Sequence, residues 1–129
     1  MIEQGLVMKI QAESGYSTVG GFAGQLPENL PSPVYFYKVI SDQANTTLQS
    51  FKGFGSRIFQ FDCFGAKAVD AQLLANAIDA VLNGFSGVLP DPDSTRIDSI
   101  FRTDRMGPEF SSSARNFWVM LEYKVWYYG

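Results

Sequence analysis

Hydrophobic positions change their period several times along these 129 residues. Ile2, Leu6, Val7 and Ile10 recur at helical spacing and Gly15 follows as a stop, so the spacing predicts a short N-terminal amphipathic helix. Gly20 to Pro33 is too rich in glycine and proline to stay regular for long, with a short extended piece expected around Phe22. Val34 to Ser41 is dense in β-branched and aromatic residues and predicts a strand. Asp42 to Gly55 is polar, bears glycine and follows neither period, which predicts a long hairpin-like loop. Ser56 to Phe64 then alternates: Phe59, Phe61 and Cys63 share one face, Gln60 and Asp62 the other, as in a half-buried strand.

Lys67 to Asn83 carries the clearest helical stripe, with Leu74, Ala77, Ile78, Val81 and Leu82 on one side and Asn83-Gly84 as its stop. Pro90-Asp91-Pro92-Asp93 is turn chemistry. Arg96 to Thr103 alternates again, setting Ile97, Ser99 and Phe101 opposite Asp98, Ile100 and Arg102. A polar loop is expected from Asp104 to Ala114, and a long strand from Asn116 to Tyr128. Helix, strands, helix, strands is the order of an α+β domain. The expected architecture is a mainly antiparallel sheet of about four strands, with an N-terminal and a central helix packed against it. No repeat or composition break divides the chain, so residues 1–129 are expected to form one domain.

The last strand is apolar on both sides. Phe117, Val119, Leu121, Tyr123, Val125 and Tyr127 would fill a core. The opposite face holds Trp118, Met120 and Trp126, interrupted by Glu122 and Lys124. A sheet covered by helices on one side should show a mostly polar second face. Either the second helix covers this face within the monomer or another molecule does, and strand periodicity does not distinguish them. Aromatic residues and Met are enriched at interfaces, which makes Trp118, Met120 and Trp126 candidate contact residues.

Composition narrows the function more than it widens it. Hydrophobic residues make up 46% and charged residues 18%, as in ordinary globular chains. No apolar run approaches a membrane span, and Glu3 and Lys9 interrupt the first ten residues in a way unlike a secretory signal. One cysteine, Cys63, builds no internal disulfide, so synthesis in a reducing cytoplasm is the simple expectation. The net charge is −3 and the ten basic residues are scattered, which argues against a phosphate-gripping surface. The chain has no histidine, so the commonest general base and zinc ligand are absent.

The remaining motifs are weak. Gly15 and Gly20 have the spacing of a phosphate loop, but Gly21 and Phe22 stand where Lys and Ser/Thr are required. Gly53-Phe54-Gly55 lacks the third glycine of a dinucleotide fingerprint and precedes a strand rather than a helix. Asp91, Asp93 and Asp98 lack the spacing and the terminal glutamate of a calcium loop. Asn45-Thr46-Thr47 matches a glycosylation acceptor without a secretory context. Cys63 is in phase with Phe59 and Phe61 and is expected to be a packed thiol, while Asp62 faces outward. Tyr127 and Tyr128 are expected to pack rather than to stack on a ligand. No catalytic, cofactor or metal site is expected.

Several segments in their order carry a resemblance: Met1-Ile2-Glu3, Leu30-Pro31-Ser32-Pro33-Val34-Tyr35, Arg57-Ile58-Phe59-Gln60-Phe61-Asp62-Cys63-Phe64, the helix with Ala71, Leu74, Ala75, Ala77, Ile78 and Leu82, and Leu121-Glu122-Tyr123-Lys124-Val125-Trp126-Tyr127. Together they resemble the small tail-terminator, or tail-completion, family of long-tailed bacteriophages and gene-transfer particles. Nearly the whole chain is covered, and order and spacing carry the likeness rather than any single motif. The glycine-rich Gly20–Glu28 departs from the clearer short strand expected there.

The resemblance implies a structural virion protein, not an enzyme, assembled in the bacterial host cytoplasm and residing in the tail or neck. It would form a ring of about six copies that caps the head-proximal end of the tail tube and stops its growth. Its partners would be further copies of itself, the major tail tube protein and the head-tail connector. DNA would pass through the channel without specific binding, and no membrane is involved. Carboxylates near the channel would let DNA slide, an expectation that a lumen lined by Lys and Arg would overturn. A ring needs two different patches per subunit. One is expected at Trp118, Met120 and Trp126, the other in the Gln43–Phe54 segment with Asn45, Leu48, Phe51, Lys52 and Phe54. The neighbouring alternatives are a head-closure protein or a tube subunit; a small ligand-binding α+β module is the more distant one.

Overall fold

The computed structural model describes residues 2–15, 18–21, 33–44, 54–90, 95–112 and 116–128, with the backbone alone at 18–20, 41–44, 54 and 111. In chain order these form α1 (Ile2–Ser14), β1 (Thr18–Gly21), β2 (Val34–Ala44), β3 (Phe54–Gly65), α2 (Ala68–Leu82), β4 (Gly87–Val88), β5 (Arg96–Ser111) and β6 (Asn116–Tyr128). The strands make one sheet in the order β1-β2-β3-β6-β5-β4. Strands β2 to β6 join antiparallel, and β1 joins β2 in parallel. The α+β architecture is therefore as the sequence implies, with six strands instead of about four. The four long strands are the expected ones. The two additions, of four and two residues, are too short to show a period.

Both helices pack on the same side of the sheet. α1 buries Ile2, Leu6 and Ile10, a strict i, i+4, i+8 stripe, and Val7 beside it is half-buried. Gly15 ends the helix at φ +80°, its N–H donating to the Gln11 carbonyl at 2.9 Å. α2 buries Ala71, Leu74, Ala75, Ile78 and Leu82, while Ala77 and Val81 are half-buried. Its first turn lies directly on β3: a Cβ at Gly65 would fall 2.6 Å from the Ala71 nitrogen, so only glycine admits the helix there. At its other end Gly84, at φ +85°, donates its N–H to the Ile100 carbonyl at 2.7 Å. The expected Asn83-Gly84 stop thus also fastens the helix to β5.

The helix residues merge with Tyr35, Phe59, Phe61, Cys63, Leu89, Ile97, Ile100, Val119, Leu121, Tyr123 and Val125 into one buried cluster. Each fully buried large apolar side chain contributes roughly 1.5–3 kcal/mol relative to an exposed one. Phe59, Phe61 and Cys63 fall on the face that alternation assigns them, and so do Val119 to Val125. Burial pushes the Cys63 thiol well above its ordinary range, with Asp62 adding to the rise, so it stays protonated and packed.

Two loop expectations need correction. β5 continues through 104–111, where a polar loop is expected, and β2 and β3 extend to Ala44 and from Phe54 into the segment expected as a hairpin loop. β5 escapes a period-2 reading because its pairing with β6 slips at Ile97/Ser99, Arg102/Asp104 and Met106/Glu109. The last slip contains Gly107 at φ +99°, where a Cβ would meet the Trp118 carbonyl oxygen at 2.5 Å. The first slip also overturns the expected partition of this strand. Ile97 and Ile100 both enter the core, and Phe101 goes to the other face.

Candidate functional site: the open face of the sheet

With both helices on one side, the second face has no helix over it among the described residues. The reading in which the second helix covers Trp118, Met120 and Trp126 is therefore overturned: α2 is packed on Val119, Leu121 and Tyr123 instead. Cross-strand pairing defines the second face across four strands. Trp118, Met120, Glu122 and Lys124 of β6 stand beside Phe64, Asp62, Gln60 and Ile58 of β3, and beside Glu109, Met106, Asp104 and Phe101 of β5. Phe36 and Lys38 of β2 adjoin Asp62 and Gln60.

This face has two unlike halves. At one end Val34, Phe36 and Phe64 form a small second buried cluster with Trp118 against it, and Phe36 meets Phe64 edge-to-face at 5.9 Å. Trp118 donates from Nε1 to Asp62 Oδ1 at 3.0 Å, and Gln60 Nε2 donates to the same oxygen at 2.9 Å. Asp62 thus fixes the indole while compensating its own partial burial. Met120 is buried. Further along the strands, the Lys124 ammonium lies 4.6 Å from the Trp126 ring centroid. There Phe101 is 56% exposed and Met106 45%. Large apolar groups left to water on a broad face mark a contact surface more often than a neutral exterior.

Of the residues singled out in the sequence, Trp118, Met120 and Trp126 do share this face, although Trp118 and Met120 are largely packed within the chain. Phe101 and Met106, two exposed apolar residues of this face, were missed because the β5 slips hide their phase. Asn45, Leu48, Phe51 and Lys52 lie outside the described residues. Phe54 opens β3, its backbone paired with Tyr128. Asp91 and Asp93 also lie outside. Asp98 is exposed on β5, accepting from Ser99 Oγ at 3.4 Å and from the Tyr128 hydroxyl at 3.5 Å. Among the described residues, no three His, Cys, Asp or Glu side chains are grouped to hold a metal, and no helix is long and apolar enough to cross a membrane.

On the helix side, a polar seam ties α2 to β5. Tyr123, buried, donates its hydroxyl to Asp79 Oδ1 at 2.8 Å, and Arg102 Nη1 reaches Asp79 Oδ2 at 3.1 Å. Asn83 Oδ1 accepts the Arg102 N–H at 3.0 Å, and Arg105 Nη1 donates to Asn76 Oδ1 at 2.9 Å. Burial pushes the Tyr123 phenol far up, and its bond to Asp79 pushes it further. The seam takes up outward-facing backbone groups of β5, and the Arg105 N–H donates to the Asp104 carboxylate at 2.8 Å. A neighbouring strand would need those same groups.

No family model matches the chain, and no curated protein matches it. A solved structure does: a chain of the virion of a native gene transfer agent particle. It superposes with a TM-score of 0.59 at 16% identity, covering 93% of this chain and 84% of that one. The likeness is one of fold, over nearly the full length of both.

Proposed function

We propose that this chain is a non-enzymatic structural protein of a phage-like particle, residing in its tail or neck. It forms a ring, about six copies around, that caps the head-proximal end of the tail tube and joins it to the head connector. The observation that carries this reading is the fold shared end to end with a chain of a gene transfer agent virion. The open apolar sheet face supports it, because a ring subunit must leave such a surface for its neighbour.

Among tail and neck components, the seam on β5 favours the ring over an extended tube subunit. An open polymer built by strand addition needs a free sheet edge. Here Asn83, Gly84 and Asp104 already occupy groups along the β5 edge.

Solution mass and negative-stain images of the purified protein, alone and with purified tail tubes, test the reading. A closed ring near six times 14.3 kDa, about 86 kDa, is expected. Long tubes would move the chain to the tube-subunit class. A monomer that ignores the tube would remove the ring reading.

A further inference from the structure

Asn83-Gly84 is the single Asn-Gly step in the chain, and both residues are exposed. Such a step is the one most prone to deamidation, because a glycine nitrogen, with no side chain beside it, reaches the preceding carboxamide unhindered. The Gly84 nitrogen would attack Asn83 Cγ and the Cγ–Nδ2 bond would break, ammonia leaving with the proton from that nitrogen. Water then opens the cyclic imide at either carbonyl and leaves aspartate or isoaspartate. In this fold both reacting groups are held by β5. The Gly84 N–H donates to the Ile100 carbonyl at 2.7 Å, and Asn83 Oδ1 accepts the Arg102 N–H at 3.0 Å. The Asn83 N–H is fixed in turn on the Asp79 carbonyl at 2.9 Å, and its ψ is 119°. At this ψ the bond to Gly84 is rotated away from Cβ, so ring closure requires ψ to turn first. Turning it breaks both bonds to β5.

We propose that Asn83-Gly84 is a latent modification site, converted to aspartate or isoaspartate only when the end of α2 lets go of β5. The same two hydrogen bonds that fasten the helix to the strand keep the carboxamide and its nucleophile apart. Conversion is also one-way. Isoaspartate routes the chain through the former side-chain carbon, which adds a backbone atom just where Gly84 must meet Ile100. Aspartate puts a carboxylate four residues after Asp79 on the same side of the helix end, where like charges repel. Either product weakens the refastening of α2, and the chain keeps a covalent record that this seam has opened.

Peptide mass mapping of the full chain, aged in mildly alkaline buffer with and without guanidinium chloride, tests this. With two hydrogen bonds to break, conversion at Asn83 should run roughly 10- to 100-fold more slowly in the folded chain than in the unfolded one. Amide hydrogen exchange should show the Gly84 N–H protected in the folded chain, since exchange and ring closure both need its bond to Ile100 broken. Wild type aged unfolded and then refolded should melt at a lower temperature than fresh wild type. Asn83→Gln aged and refolded in the same way should not shift, because its longer side chain closes the larger ring poorly. Equal conversion rates in the folded and unfolded chains would overturn the proposal. So would a Gly84 N–H that exchanges as fast as in the unfolded chain. A converted wild type that refolds with unchanged melting would overturn the one-way step.

Discussion

The two faces of this sheet come from the same strands and alternate residue by residue, yet they end in opposite conditions. On the helix side, Leu121 and Tyr123 are fully buried beneath α2, with Val125 nearly so, and the buried hydroxyl of Tyr123 has Asp79 as its acceptor. On the other side, Phe101 and Met106 lie between Asp104, Glu122 and Lys124 with their rings and thioether in water. Beneath α2 the sheet's core closes within the chain. The other face carries apolar groups that contribute little until something covers them.

Stability should therefore separate sharply between the faces. Leu74→Ala removes a fully buried side chain at the centre of α2 and is expected to cost ~2–5 kcal/mol, read by urea unfolding. Met106→Ser on the open face should stay within ~0.5 kcal/mol of wild type. A cost for Met106→Ser approaching that of Leu74→Ala would break the comparison, because the open face would then be part of the core.

The polar seam sharpens it from within. Asp79→Ala leaves the buried Tyr123 hydroxyl without its acceptor and is expected to cost ~1–3 kcal/mol, whereas Asp79→Asn, which keeps an acceptor oxygen, should cost less. The ion pair to Arg102 adds little, being partly exposed on both sides. The seam also predicts the alkaline limit. Because the native phenol holds its proton more tightly than the unfolded chain, its contribution is fully present below pH ~10 and is lost as pH rises above that value. Unfolding free energies at neutral pH and above pH ~10 should diverge less in Tyr123→Phe than in wild type.

Most of the helix-side face was legible in the sequence, and much of the open face was not. α1, α2 and β6 hold one period from end to end, so most of their buried residues follow from spacing, with Ala71 and Ala75 of α2 buried where Ala77 and Val81 are expected; even the limits of β6, Asn116 and Tyr128, are those the pattern implies. β5 breaks period at three slips, and each slip moves later residues to the opposite face. That is why the alternation sets Ile97 with Phe101 and opposite Ile100, whereas Ile97 and Ile100 share the core. β4 is held by two pairs, to Arg96 and Ile97, and no local pattern announces so short a strand. The face of Trp118, Met120 and Trp126 was visible as an excess of apolar residues. What covers it was not, because periodicity records which residues share a side and not what lies on it.

A substitution of smaller expected cost than that of Asp79→Ala separates the two halves of the open face. Trp118 is bound to Asp62 and packed on Val34, Phe36 and Phe64, so its role is partly internal. Trp118→Phe keeps most of the packing and removes the Nε1 donor, with an expected cost of ~0.5–1.5 kcal/mol. Asp62 retains the Gln60 amide, which limits the loss. Asp62→Asn keeps an acceptor for the indole and should cost less still. Ring formation should survive Trp118→Phe while failing in Phe101→Asp, since the exposed apolar surface lies toward Phe101 and Met106. If Trp118→Phe abolished the ring with its melting unchanged, the subunit contact would extend onto the Val34–Phe64 end, and the division of this face into a packed half and a docking half would have to be redrawn.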